Sequence, residues 1–299
     1  MSTVVAIAPL RRLFQGLALI TSFAAAATAQ THPLIGVTGD GASIPESLFL
    51  LDQTNASAIF VMALGNGSEG EAIGYNSDDG LLYHASGLLQ NEVWESVDVY
   101  ARTIVASGPF TGQQVNDYEN TAIVYDPATE RFLVCDLIGN LFDTTLAGAA
   151  TRTGAVPDTL KGLAFAGGSL YGASNADERL YKLNPANGHA ISSAAVTLDG
   201  IAVTGMNGLA THPGTGAFWG IFRVGNSPGV RHLGTVDPAT GVVTSVGVLP
   251  YNFAGIAFLP EPSPIFALGA GTLAVALCAG RRRRCPPIPE RPDAVVVPD

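Results

Sequence analysis

A unit of about 46 residues recurs along this chain and limits what it can fold into more than any other feature. Gly162-Leu163-Ala164-Phe165 and Gly208-Leu209-Ala210-Thr211 stand 46 residues apart, and Gly255-Ile256-Ala257-Phe258 follows 47 later. Leu170-Tyr171-Gly172 corresponds to Phe218-Trp219-Gly220. Leu180-Tyr181-Lys182-Leu183, followed by Asn184-Pro185-Ala186-Asn187-Gly188, corresponds to Leu233-Gly234-Thr235-Val236, followed by Asp237-Pro238-Ala239-Thr240-Gly241. Asx-Pro-x-x-Gly is turn chemistry: the Asx side chain accepts from the backbone, Pro fixes φ, and Gly takes the left-handed position. Each unit therefore reads as three or four short apolar strands between turns. No stretch of residues 30–260 carries a helical period.

The unit recurs upstream with more drift, opening at Ala72-Ile73-Gly74-Tyr75 and at Ala122-Ile123-Val124-Tyr125. The ends are complementary half-units. Leu34-Ile35-Gly36-Val37 corresponds to the Leu170 strand and Leu48-Phe49-Leu50-Leu51 to the Leu180 strand, yet no Gly-Leu-Ala-Phe strand precedes them. Gly255 to Phe258 is that missing strand, with no further repeat after it. A ring of sheets sealed by its last strand requires this arrangement. The expectation is an all-β domain over 30–259: a β-propeller of about five four-stranded blades with terminal strand closure. A pair of β-sandwiches, the competing reading, needs no terminal half-units. Residues 86–120 are the least periodic and could hold an extra blade or a long insertion. The pattern resembles the broad group of secreted bacterial propellers of the YVTN, NHL and quinoprotein-like types.

Two segments match catalytic patterns literally and fail on context. Gly65-Asn66-Gly67-Ser68-Glu69-Gly70 fits G-x-G-x-x-G, but a strand follows where a dinucleotide site needs a helix. Gly225-Asn226-Ser227-Pro228-Gly229 fits G-x-S-x-G, but a nucleophile elbow uses the next backbone N–H, which Pro228 lacks. The acidic turns at Asp40-Gly41, Asn76 to Gly80 and Asn116 to Glu119 offer oxygen ligands without EF-hand spacing, and Asx-Gly pairs are ordinary hairpin residues. Asp78 and Asp79 are the weak Ca2+ candidates among them; otherwise no cofactor is expected. His32, His84, His189, His212 and His232 show no metal-hydrolase spacing, and His32, His189 and His212 adjoin Pro or Gly in apparent turns. Cys135, alone in an apolar strand, reads as a buried small hydrophobe. No catalytic residue is assigned. A channel enzyme would place acids or histidines at several inner-strand starts, which here are Ala72, Ala122, Gly162, Gly208 and Gly255.

The flanks read as addresses. Residues 1–29 contain Arg11 and Arg12, no acid, an apolar stretch from Leu17 to Ala27, and the small-residue run Ala27-Thr28-Ala29. That is a secretory signal peptide cut between Ala29 and Gln30, and it implies an export translocase. The arginine pair also fits the twin-arginine route weakly. At the other end Pro260-Glu261-Pro262 precedes seventeen uncharged, mainly apolar residues, 264–280. This is near the short limit of the ~20 residues that span a bilayer, and it predicts a single C-terminal transmembrane helix. Arg281, Arg282, Arg283 and Arg284 then form a stop-transfer cluster that stays cytoplasmic. Residues 285–299, proline-rich and aperiodic, read as a disordered cytoplasmic tail.

Pro-Glu-Pro, an apolar span and an arginine cluster, in that order over 260–284, resemble the PEP-CTERM sorting signal of Gram-negative bacteria. The resemblance implies export across the inner membrane as a membrane-anchored precursor and recognition by exosortase, which processes the chain near Pro260-Glu261-Pro262. It further implies delivery to the cell surface or outside, in association with exopolysaccharide and biofilm.

Charge fits an exported body. Residues 30–260 contain 8 basic and 21 acidic side chains, a net of −13 against −10 for the whole chain. Such a surface favours solubility and excludes nucleic acid, which needs a basic face. The expected function is a non-enzymatic cell-surface or matrix protein that contacts extracellular polysaccharide. The alternative is a secreted propeller enzyme of the lyase or lactonase type, using channel carboxylates or Ca2+.

Overall fold

A computed structural model describes residues 32–39, 41–64, 72–86, 92–112, 118–225 and 229–261. The chain divides into Met1–Pro260 and Glu261–Asp299, and of the second unit only Glu261 is described. Among the described residues all regular structure is strand, arranged in five sheets.

Blade I joins β1 (Leu34–Thr38), β2 (Ser47–Leu51) and β3 (Ala58–Ala63) to an innermost β23 (Phe253–Phe258). Blade II runs outward through β4 (Ala72–Tyr75), β5 (Leu82–Ser86), β6 (Val93–Asp98) and β7 (Thr103–Pro109). Blade III comprises β9 (Asn120–Asp126), β10 (Arg131–Asp136), β11 (Asn140–Thr144) and β12 (Ala149–Ala155), with β8 (Thr111–Gly112) added outside. Blade IV comprises β13 (Leu160–Ala166), β14 (Ser169–Ser174), β15 (Arg179–Leu183) and β16 (Ala190–Ala195). Blade V comprises β19 (Gly205–Thr211), β20 (Phe218–Val224), β21 (Val230–Val236) and β22 (Val242–Val248), extended by a hairpin of β17 (Thr197–Leu198) and β18 (Ile201–Ala202).

The innermost strands pack in a closed cycle: β4 on β9, β9 on β13, β13 on β19, β19 on β23, and β23 on β4. The domain is a five-bladed propeller. Its closure is the one expected from the half-units, with β23 antiparallel to β1, Leu34 opposite Phe258 and Val37 opposite Gly255. Among the described residues of 86–120 there is no further blade; they complete blade II and send β8 to the edge of blade III.

The core lies in the seams. Five separate apolar clusters each join two neighbouring blades, so the inner strands are buried on both faces and read as continuous apolar runs rather than as alternation. In the II/III seam, for example, Phe132 packs against Tyr83 and Trp94 at ring separations of 4.6 and 5.3 Å. Cys135 is fully buried in the III/IV seam, which pushes its thiol pKa up.

Five wedge-shaped blades leave little space at the axis, which explains the small residues that open each repeat. A Cβ on Gly162 would lie 2.5 Å from the Leu209 backbone nitrogen. One on Gly208, whose φ is +60°, would lie 2.9 Å from that of Ile256. At the rim every blade's fourth strand carries a one-residue bulge, at Val61, Val105, Thr153, Ile191 and Val246. Bulges twist an edge and blunt it against pairing with other chains.

Candidate functional site

One aliphatic side chain from each inner strand closes the axis. Ile73, Ile123, Leu163, Leu209 and Ile256 line both axial cavities, one of about 180 Å³ below them and one of about 10 Å³ above. "Below" denotes the face on which the inner strands end. Among the described residues the only charged one lining either cavity is Lys161, whose Nζ donates to Glu119 at 2.9 Å and ties blade IV to the segment entering blade III. The last inner-strand residues along the lower cavity are Tyr75, Tyr125, Phe165, Thr211 and Phe258.

The lower face is built from one kind of turn. Asp52, Asn76, Asp126, Asn184 and Asp237 each accept, through the side chain, the N–H two residues on. The fifth residue of each turn is left-handed: Ala56, Gly80, Glu130, Gly188 and Gly241 have φ between 56° and 77°. His212 takes the same position in a sixth turn. Its Nδ1 accepts the N–H of Gly214 at 3.1 Å and of Thr215 at 3.2 Å, and Gly216 is left-handed. Burial and then the neighbouring His32 lower its pKa, so His212 is neutral with its proton on Nε2.

Asp78 and Asp79 belong to the Asn76 turn. The Tyr125 hydroxyl donates to Asp78 at 2.6 Å, across the II/III seam, and the Tyr83 hydroxyl donates to Asp79 at 2.7 Å. The two carboxylates thus serve as acceptors for buried phenols. Among the described residues no three acid, histidine or cysteine side chains converge as a metal site would require.

Burial, and next the bonded carboxylate, push the pKa of Tyr83 and of Tyr125 well above the usual tyrosine value. Burial pushes Tyr75, in the neighbouring I/II seam, up to about 12. Neutral phenols therefore contribute stability in full below pH 10, where the unfolded chain begins to ionise, and lose it as the pH rises toward 12. Stability from urea unfolding should fall steeply across that window. Tyr83→Phe with Tyr125→Phe should flatten the fall, and an equally steep decline in the double variant would assign it elsewhere.

A larger cleft, of about 520 Å³, opens on the same face between His32, Pro33, Leu50, Ile59, the Asp52 turn and His212. That volume lies within the usual range of small-molecule sites. The two imidazoles meet edge to face with centroids 5.3 Å apart. Gln53 Nε2 donates to the His32 carbonyl at 2.7 Å, and Leu259 N–H donates to the Pro33 carbonyl at 2.9 Å, so the entering chain is tied down at both residues. His32 Nδ1 is buried and has no hydrogen-bond partner. Sequence reading placed both histidines in turns but had no means of pairing them.

A second polar feature escaped sequence reading. His84 on β5 and Glu95 on β6 are cross-strand partners, both fully buried, with Nδ1 and Oε2 3.3 Å apart.

Of the residues expected to direct sorting, Pro260 is held at the propeller, its carbonyl accepting from the Tyr100 hydroxyl, and Glu261 follows it. Pro262, the 264–280 segment, Arg281 to Arg284, Ala29 and Gln30 lie outside the described residues. So do Asp40, Gly65 to Gly70, Asn116, Asp117 and Asn226 to Pro228. Among the described residues no helix is long and apolar enough to cross a membrane.

No protein-family profile matches the chain, and no curated protein does. Solved structures do. A chain of the nidogen/laminin complex aligns with a TM-score of 0.50 at 10% identity, over 77% of this chain and 98% of that one. A 6-phosphogluconolactonase-like protein of Bacteroides uniformis aligns at 0.44 and 13%, over 73% and 82%. The glutaminyl cyclase of Myxococcus xanthus aligns at 0.41 and 19%, over 64% and 83%. Identities this low speak to the fold alone.

Proposed function

We propose that the chain is the precursor of an exported, non-enzymatic protein of the bacterial cell surface or extracellular matrix, sorted by exosortase at Pro260-Glu261-Pro262 and associated with exopolysaccharide. One observation carries the reading. The ring is complete at the residue where the motif begins: β23 ends at Phe258, and Leu259 and Pro260 hydrogen-bond back to the domain. Processing near the motif would therefore release a whole propeller and would remove no strand. The aliphatic partition across the axis supports the non-enzymatic part, since lyase or lactonase chemistry in the channel would need carboxylates or a metal at those positions.

The test is to replace Pro260, Glu261 and Pro262 by alanine in the native host. The expected result is full-length protein retained in the inner membrane, matching the wild-type protein in a host without exosortase. Normal release of the shortened body from the triple variant would overturn the sorting reading.

A further inference from the structure

Two departures from the repeat meet in the cleft on the lower face. In each blade the third strand closes at a turn residue, Asp52, Asp98, Thr145, Asn184 or Asp237, whose side chain accepts a backbone N–H of its own turn. Two residues earlier, a side chain stands opposite a partner on the fourth strand. In blades II to V those pairs are Ser96 with Ala106, Asp143 with Thr151, Lys182 with Ser192 and Thr235 with Thr244. Blade I alone is aliphatic on both sides, with Leu50 opposite Ile59 at 36% and 65% exposure. An aliphatic pair left in water contributes little to folding, and the four other blades do without one. The second departure is His212. The inner hairpins of blades II and III turn on Asn76 and Asp126, whereas that of blade V turns on the imidazole. Leu50, Ile59 and His212 come from two blades and line the same cleft of about 520 Å³.

The chemistry of the lining selects the occupant. Pro33, Leu50 and Ile59 give an aliphatic surface. Beside it stand uncharged groups with hydrogen bonds to spare. His212 is neutral, uses Nδ1 in its turn, and keeps its Nε2–H without a protein partner among the described residues. The Ser57 hydroxyl, on the exposed end of the Asp52 turn, also has none. His32 Nδ1 is buried and unsatisfied, which calls for a partner. Among the described residues Asp52 is the only carboxylate in the lining; its Oδ1 accepts from the Thr54 N–H and hydroxyl and its Oδ2 from Asn55. It repels an anion and has little left to offer a cation. Aliphatic surface next to neutral donors and acceptors suits a ring with a C–H face and a hydroxylated edge.

We propose that the cleft binds an uncharged sugar residue, with its C–H face on Leu50, Ile59 and Pro33 and its hydroxyls at His212 Nε2, His32 Nδ1 and the Ser57 hydroxyl. The inference rests on the reading of a polysaccharide-associated protein for the source of that sugar, and on the geometry of the cleft for the site itself.

The probes are glucose, galactose, mannose, rhamnose and N-acetylglucosamine, each free and as its methyl glycoside, with glucuronate as the charged counterpart. Binding to the full-length chain, in a detergent without a sugar headgroup, is followed by saturation-transfer NMR and calorimetry. At least one of the five should bind saturably, and glucuronate should bind about tenfold more weakly than the best of them. Two variants return the site to the repeat. Leu50→Lys with Ile59→Ser copies the pair of blade IV, and His212→Asn copies the turn residue of blade II. Each should weaken binding about tenfold or more while the melting transition stays cooperative, since other blades fold with those residues. No saturable binding by any of the five sugars would overturn the proposal. So would undiminished binding in both variants, or glucuronate bound as well as the best neutral sugar. A free sugar that binds while its methyl glycoside does not would keep the site but overturn its link to polysaccharide. Sorting is read separately, by the alanine replacement of residues 260–262, which lie outside the cleft lining.

Discussion

A chain ending at Asn252 is expected to lose cooperative unfolding altogether. The residues removed include β23, the inner strand of blade I, and with it members of two of the five seams. Phe253 is fully buried and packs edge to face on Phe49 at 5.5 Å. Ile256 and Phe258 belong to the I/V seam, and Ala257 to the I/II seam. Truncating one such phenylalanine to alanine costs about 3–5 kcal/mol. Losing the whole strand removes several buried side chains and exposes the inner edge of β1, against a total stability of about 5–15 kcal/mol. Thermal melts followed by aromatic circular dichroism would read the outcome, with Phe253→Ala as the milder companion. A truncated chain with the wild-type transition would show that closure is dispensable.

His84→Leu should be the most damaging single change outside the seams' apolar residues. It leaves the Glu95 carboxylate buried without its cross-strand imidazole, and removing one partner of a buried pair costs about 3–5 kcal/mol. Replacing both partners with leucine also removes the carboxylate that has lost its imidazole and should recover most of that loss. Urea unfolding of the single and double variants measures the difference. A double variant as unstable as the single one would show that the pair does not act as a unit.

Much of the ring could be read from residues alone, because repetition reports geometry. Gly255-Ile256-Ala257-Phe258 matched Gly162-Leu163-Ala164-Phe165 in phase, and Leu34-Ile35-Gly36-Val37 matched the strand after it, so closure followed from the offset between two ends. The turns were equally readable, since Asn184 and Asp237 act through their own backbone two residues on. β8 and the β17–β18 hairpin were not: two-residue strands have no period, and their pairing depends on where a neighbouring blade's edge happens to lie. His84 and Glu95 hid for a different reason. On an alternating strand polar residues read as the solvent face, and only the packing of blade I against blade II turns that face inward. The cleft was hidden by distance along the chain, since His32 and His212 approach only because the ring closes. Asp78 and Asp79 stand out in the sequence as weak Ca2+ candidates because it shows the carboxylates but not the tyrosines that reach them from Leu82–Ser86 and from the next blade.

Seen in time rather than space, the pairing of β1 with β23 makes folding wait for synthesis. The strand that completes the first blade is the last of the described strands to be made. Pairing over so long a stretch of chain forms late, after local hairpins. Until Phe258 has been delivered the ring stays open. The seal that gives the finished propeller its stability is therefore also the last part of it to form.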